Sequence, residues 1–362
     1  LDAGIDYEGT RYTLDATQNV AGLFREGDPG GFSGFSGSNA ANGVATDHFA
    51  LFTSFFAPYV QTEISLLDGK LIVLPQLRLE AMSYVGYPGK TNQFSSSFFE
   101  VEPRVSVRWQ LHPRLALTGA MGVYHQSPDY ADMSAVFGNP HLSPEFSIHY
   151  VVGIDAQLTA TQQLSAQGFY KELRNLVVRG ETASDPTLEN DGIGRVYGGE
   201  LLIRQQLWKN FFGWISYTLS RSERRDHADQ PWRLFEYDQT HILTILGSYR
   251  LPKGFQVGLR FRYASGNPYT PVTRAYYDTN SYSYVPLYGA VYSARLPAFN
   301  QLDLRVDKTF TFNRWKLLVY LDLENVYAAQ SAEGVAYNYN FTKPEYLSGL
   351  PFLPVLGFRG EF

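Results

Sequence analysis

Hydrophobic and polar residues alternate along much of the chain with a period of two, which places successive side chains on opposite faces of a β-strand. In Gln301-Leu302-Asp303-Leu304-Arg305-Val306-Asp307 every odd position is polar and every even one apolar. The run Gln256 to Tyr263 sets Val257, Leu259, Phe261 and Tyr263 against Arg260 and Arg262. Pro103 to Leu111 puts Val105, Val107, Trp109 and Leu111 opposite Arg104, Ser106 and Arg108. Leu71 to Glu80 carries Gln76, Arg78 and Glu80 on its polar face. Such runs reach about 10 residues, enough to cross a bilayer at a tilt. Strands of soluble proteins are more often about 5 or 6 residues long.

The connections alternate in length. Short turns are predicted at 67–70, 112–114, 159–163, 207–210, 251–254 and 311–314. Long segments fall at 15–46, 84–97, 127–145, 180–191, 223–236, 266–298 and 328–350. Short turns at one end and long loops at the other are the outer-membrane layout, with the long loops outside the cell. The pattern therefore predicts an all-β chain, a transmembrane antiparallel β-barrel of about 14 strands with both chain ends on the periplasmic side. A β-propeller is the rival, since the hairpins recur near blade spacing; neither short strands nor a repeated Trp-Asp signature supports it. Aromatics gather near predicted strand ends (Tyr84, Phe98, Phe99, Tyr124, Tyr150, Phe211, Trp214, Trp315, Tyr327), where interfacial girdles sit. The polar face carries Arg260, Arg262, Asp303, Arg305 and Asp307, with Asp322 and Glu324. Unpaired buried charge is expensive, so these residues are expected to face a wet or plugged lumen.

Composition sharpens this. Aromatic residues make up 15%, including 26 Tyr and 25 Phe, while only 18% are charged and the mean hydropathy is -0.23. No apolar run is long enough for a transmembrane helix. Cysteine is absent, which removes disulfides and thiolate chemistry. The net charge of -5 gives no electrostatic reason for a nucleic-acid partner. The first residues, Leu1 to Tyr7, have no signal-peptide character and already alternate like a strand, so the chain is expected to begin within a domain.

Several segments, in order, resemble TonB-dependent transporter barrels. Ala57-Pro58-Tyr59-Val60-Gln61-Thr62-Glu63 is similar to a strand that usually reads Ala-x-Tyr-x-Gln-Asp-Glu. Glu102 to Gln126 resembles a mid-barrel hairpin, and Asn139-Pro140-His141-Leu142-Ser143-Pro144-Glu145 the family's Asn-Pro-x-Leu-x-Pro-Glu stretch. Phe235 to His241, Leu251 to Gly254 and Ser265 to Pro271 resemble the late barrel, and Leu323 to Tyr327 the penultimate strand. Phe358 and Phe362 resemble the terminal aromatic signal that such barrels present to the barrel-assembly machinery. The resemblance implies import of a scarce ligand such as a ferric chelate, cobalamin or glycan, in contact with outer-membrane lipid. It also implies a barrel of about 22 strands around a plug. Residues 1–362 are then read as the C-terminal portion of a larger barrel, a fragment or a shortened relative, beginning near about the ninth strand. Coupling to TonB would run through a plug not seen in this chain. The strand edges near Leu1 and Phe362 must meet each other or a partner segment, because unpaired edges are not viable in hydrocarbon.

Chemistry is sparse. The seven His (His48, His112, His125, His141, His149, His227, His241) show no metal-ligand spacing, and no metal or cofactor is expected. Gly192 to Gly198 imitates a dinucleotide fingerprint, but Glu200-Leu201-Leu202-Ile203-Arg204 continues as a strand. Ser222, Asp226, His227 and Asp229 share one loop, where crowding of polar residues is expected; a triad is shown by geometry, and no catalytic residue is assigned. Arg221, Arg224, Arg225, Asp226, Asp229 and Arg233 read as loop ion pairs. The richest candidate is 266–298, whose Tyr269, Tyr276, Tyr277, Tyr282, Tyr284, Tyr288 and Tyr292 read either as a ligand-gripping rim or as loop packing. Gly30 to Gly37 reads either as a mobile lip of the rim or as a disordered segment. The alternatives are a plugless porin-like or structural barrel, and a soluble propeller or sandwich.

Overall fold

The computed structural model describes residues 1–19, 44–180, 188–280 and 282–362, so Gly30 to Gly37 lies outside the described residues. The first half runs β1 (Asp2–Asn19), β2 (Val44–Gln61), β3 (Ile64–Leu66), β4 (Leu71–Gly86), β5 (Phe94–His112), β6 (Leu115–Gln126), β7 (Glu145–Gln157), β8 (Gln162–Arg179) and β9 (Leu188–Trp208). The second runs β10 (Phe211–Arg225), β11 (Arg233–Leu234), β12 (His241–Leu251), β13 (Phe255–Ala264), β14 (Pro268–Tyr269), β15 (Val272–Asp278) and β16 (Ser283–Tyr288). It ends with β17 (Ala294–Arg295), β18 (Phe299–Thr311), β19 (Lys316–Glu324), β20 (Ala332–Tyr337), β21 (Pro344–Ser348) and β22 (Leu353–Glu361). Among the described residues there is no α-helix.

Fourteen strands form one antiparallel wall in the order β1-β2-β4-β5-β6-β7-β8-β9-β10-β12-β13-β18-β19-β22, with β3 and β11 as short additions on β4 and β10. The count read from alternation is therefore met, and the fold is the expected antiparallel transmembrane barrel wall. The wall strands are longer than the membrane requires: β9 has 21 residues and β5 has 19. About 10 residues suffice for the crossing, so the excess carries the ladder into the long-loop end. There, segments expected to be loops build hairpins of their own, β15 with β16 and β20 with β21. Among the described residues β1 pairs only with β2 and β22 only with β19, so the two edges do not meet each other.

The two faces separate as the period-two pattern requires. Leu259 pairs with Leu304, and Val257 with Val306. Across the same ladder Arg260 pairs with Asp303, Gly258 with Arg305 and Gln256 with Asp307, on the opposite face. The apolar face is bare: Leu259, Val257, Val306, Phe310 and Leu321 are all exposed. A soluble protein would bury such a face, whereas here lipid covers it. One row across this face reads Tyr150, Tyr170, Tyr197 and Arg221, in register on β7, β8, β9 and β10. Three phenols at one height form part of an interfacial belt.

The apolar core lies at the long-loop end, against the opposite face of β2 and β4. Phe49, Leu51, Met82, Tyr84, Tyr87 and Met133 are buried together. Met82 and Tyr84 share the face of Gln76, Arg78 and Glu80 by alternation, so the polar face turns apolar where residues 127–144 fold over it. That segment needs Gly138, because a Cβ there would stand 1.8 Å from the Asp132 carbonyl oxygen. A polar knot fastens it. Tyr87 donates to Asp47 (2.7 Å) and accepts from the Ala135 N–H (3.0 Å), while Ser134 donates to Asp47 (2.6 Å). Burial, and then the bond to Asp47, push the Tyr87 phenol up to about 12. Its ordinary value is about 10, so the folded state favours the neutral phenol. That contribution is complete below about pH 10 and is lost as the pH rises toward about 12. Tyr87→Phe is expected to cost about 1–3 kcal/mol by removing one of two donors to buried Asp47 and the acceptor of the Ala135 N–H, and to make the fall in thermal midpoint across that pH window shallower; thermal unfolding in detergent reads both effects.

Candidate functional site

The long-loop end between β10 and β22 gathers the chemistry. Its centre is Arg295 of β17, whose guanidinium donates to the Asp238 carbonyl (2.7 Å), the Gly266 carbonyl (3.0 Å), Thr240 Oγ1 (3.0 Å) and the Asp238 carboxylate. Asp238 is 2% exposed and also accepts from the Ser222 N–H at 2.6 Å. One side chain thus ties residues 226–240 to residues 266–298. Gly266 permits the approach, since a Cβ there would stand 1.8 Å from the Leu296 carbonyl oxygen. The segment Phe235 to His241, which carried part of the family resemblance, has this fastening role.

The tyrosines of 266–298 divide into two groups. Tyr292 is buried, donates to Glu236 (3.3 Å) and carries the Arg233 guanidinium over its ring at 5.5 Å. Tyr269 packs inward, and burial, then Tyr346 and Tyr337, raise its phenol above the ordinary value. Tyr276, Tyr277 and Tyr282 stand exposed on the β15–β16 hairpin, Tyr282 at 81%. Tyr277 meets Tyr284 edge to face at 5.2 Å, and Tyr288 lies at the paired end opposite Val272. Tyr284 in turn meets Tyr339 at 5.9 Å, and Tyr337 accepts the Val272 N–H at 3.1 Å. Tyr337, Tyr339 and Tyr346 therefore extend the same aromatic surface from the next loop. Their density within 328–350 was the available signal.

Arg260, Arg262, Asp303, Arg305 and Asp307 lie together below this rim. Asp303 accepts from Arg260 Nε (2.8 Å), Gln301 (2.6 Å) and the Asn325 N–H (3.0 Å), with Arg262 at 3.9 Å. Arg305 pairs with Asp307 at 3.0 Å and Asp322 at 3.4 Å and stacks over Tyr320 at 3.9 Å. The charges expected on the polar face are thus neutralised as a ladder, at spacings set by strand register. Asp303→Ala should cost about 1–3 kcal/mol, chiefly by stranding the buried Asn325 N–H, since Arg260 stays in reach of water; detergent unfolding checks this.

Other expectations fall into place around the site. Arg221 and Arg195 bind Glu223 at 2.6 and 2.7 Å, and Arg233 binds Asp226 at 2.5 Å. His227 turns toward the Arg179 carbonyl and Glu189, away from a Ser222 triad. The residues from Asn139 to Glu145 are a fastening. Asn139 donates to the Leu188 carbonyl (2.8 Å), and Ser143 exchanges bonds with Asn190. Phe362 stacks on Trp315 at 5.9 Å, and Phe358 is exposed. A groove of about 710 Å³ lies on the bare apolar side, over Gly168 and Gly199 beneath the tyrosine row. It belongs to the lipid-facing surface. A smaller cavity of about 390 Å³ on the polar side is lined by Asp6, Arg78, Glu80, His125 and Tyr130.

The family model described as TonB dependent receptor-like, beta-barrel matches residues 2–326. Among solved structures, the ferric citrate transporter FecA in the unliganded form superposes with a TM-score of 0.70 at 16% identity, covering 99% of this chain and 51% of that one. The ferric yersiniabactin uptake receptor FyuA from Yersinia pestis gives 0.62 at 15% identity, covering 99% and 50%. The pyoverdine outer membrane receptor FpvA from Pseudomonas aeruginosa gives 0.64 at 14%, covering 87% and 43%. At these identities the likeness is one of fold, and the chain spans about half the length of the structures it matches. No curated protein matches the sequence.

Proposed function

Because this chain belongs to the TonB-dependent receptor-like β-barrel family, whose members are outer-membrane transporters and not enzymes, we propose that it forms wall and rim of a receptor importing a scarce ligand. The ligand class is a ferric chelate, cobalamin, glycan or similar, and uptake draws its energy from TonB acting on the whole protein. The long loops then face outward, and the ladder of Arg260, Arg262, Asp303, Arg305 and Asp307 faces the lumen. Phe358 and Phe362 fit recognition by the barrel-assembly machinery.

The observation that carries this reading is the tyrosine surface built jointly by β15–β16 and β20–β21, held by the Arg295 clamp above a charged face. Rigid amphipathic rings supply contact area at low entropic cost. Among the described residues β1 and β22 do not pair with each other, which counts against a porin-like barrel of these strands alone, since open edges in hydrocarbon leave backbone groups unsatisfied. Further strands, from the same polypeptide or a partner chain, complete the wall in this reading. Replacing Tyr276, Tyr277 and Tyr282 together by alanine should weaken ligand binding by at least about tenfold, at about 1.4 kcal/mol or more. Whole-cell uptake with and without TonB is the check: uptake independent of TonB, or passive ion conductance by the purified protein, would sink the reading.

A further inference from the structure

The seven histidines carry no local metal spacing, yet the fold brings one of them to two carboxylates on another strand. Glu189 and Asp191 lie on the first residues of β9, and His227 follows β10; one ligand atom from each lies within 4.8 Å of the others. We propose that Glu189, Asp191 and His227 form a divalent transition-metal site, of the Zn²⁺ class, at the long-loop end.

The imidazole is the most informative member. His227 is 8% exposed, and its Nε2 stands 2.9 Å from the Arg179 carbonyl oxygen. A carbonyl can only accept, so Nε2 carries the hydrogen and Nδ1 is the ring atom that a metal ion would meet. That Nδ1 faces Glu189 Oε1 at 3.6 Å. Nδ1 and the carboxylate thus converge from two segments on one point, where a metal ion would meet both. Metal-binding histidines commonly donate their other N–H to a backbone carbonyl, which fixes tautomer and ring orientation. The Arg179 carbonyl supplies that support.

Size and donor type select the ion. Zn²⁺ holds nitrogen and carboxylate oxygen at about 2.0–2.2 Å. Around a tetrahedral ion its ligand atoms therefore stand about 3.5 Å apart. Gathering the three onto one ion needs side-chain rotations that close up to about 1.3 Å, which Asp191, the exposed member, can make. Calcium and magnesium prefer all-oxygen shells, so the imidazole favours the first transition row, where imidazole suits Zn, Cu, Fe and Ni. Three protein donors leave at least one coordination position for water or an outside donor. The ion would join the start of β9 to the segment after β10, two parts of the rim that backbone pairing leaves separate above Ile193 and Arg225.

The test uses the whole protein in detergent, stripped with chelator and titrated with Zn²⁺, then with Co²⁺ as a spectroscopic probe. One equivalent should bind, with a rise in thermal midpoint, and Co²⁺ should show visible ligand-field bands. His227→Gln and Glu189→Gln should each weaken Zn²⁺ binding by at least about tenfold. His241→Gln, at a separate imidazole bonded to Tyr217, should leave it unchanged. Heat-modifiable mobility on gels reports which variants fold. Should the two buried-site variants misfold, Asp191→Asn decides, because its exposed carboxylate can change without disturbing the wall. The proposal is overturned if no stoichiometric Zn²⁺ binds, or if binding survives unchanged in every folded variant of the three.

Discussion

Arg295→Ala is expected to destabilise the long-loop end by about 3–5 kcal/mol, the cost of leaving a buried carboxylate without its cation. Asp238 is almost wholly enclosed, and Arg295 supplies its charge partner while binding the Asp238 and Gly266 carbonyls. The effect should be local: residues 226–240 and 266–298 should become open to protease while the wall resists it. Adding Asp238→Asn should recover part of the loss, since the amide carries no charge to strand. A double-mutant cycle on thermal unfolding in detergent measures this coupling. Equal losses in the single and double variants would show that the clamp acts through its carbonyl bonds alone. The tyrosine surface rests on the same clamp, so ligand binding should fall with it even though Arg295 lies beneath the exposed rings.

The second large effect separates a lipid-facing wall from a solvated one. Leu259 is 42% exposed in the isolated chain, in the middle of β13. Its row continues through Gly247, Leu304 and Leu323. In a soluble protein, arginine at so exposed a position would cost little. Facing the middle of a bilayer it should cost about 2–4 kcal/mol. Leu259→Arg should therefore lower the yield of folded, heat-modifiable barrel sharply. The control is Leu287→Arg on the exposed β15–β16 hairpin, beyond the wall, which should be nearly neutral. Equal behaviour of the two variants would contradict the lipid-facing assignment.

Some of this architecture was legible residue by residue. Strand turns such as Leu251 to Gly254 stand where the pattern placed them, and the false fingerprint at Gly192 to Gly198 lies inside a strand as its continuation implied. The polar ladder of Arg260, Asp303 and Arg305 was also visible, because alternation and register together oblige these side chains to share a face. The tyrosine segment was legible only as composition. Nothing local distinguishes Tyr292, buried beneath Arg233, from Tyr282, which stands in the open.

The sequence by itself determined the wall: strand positions, the two faces, the alternation of short and long connections, and the number of crossings. All of these follow from the period-two geometry of a strand, a rule that operates between neighbours and repeats along the chain. Tertiary structure alone decided the rest. It folded residues 127–144 over Tyr84 and Tyr87, joined β15–β16 to β20–β21, set Arg295 on Asp238 and brought His227 to Glu189. Each of these contacts links residues remote in sequence through irregular backbone. Such backbone has no period to read, and side-chain direction there is set only when the partner segment arrives.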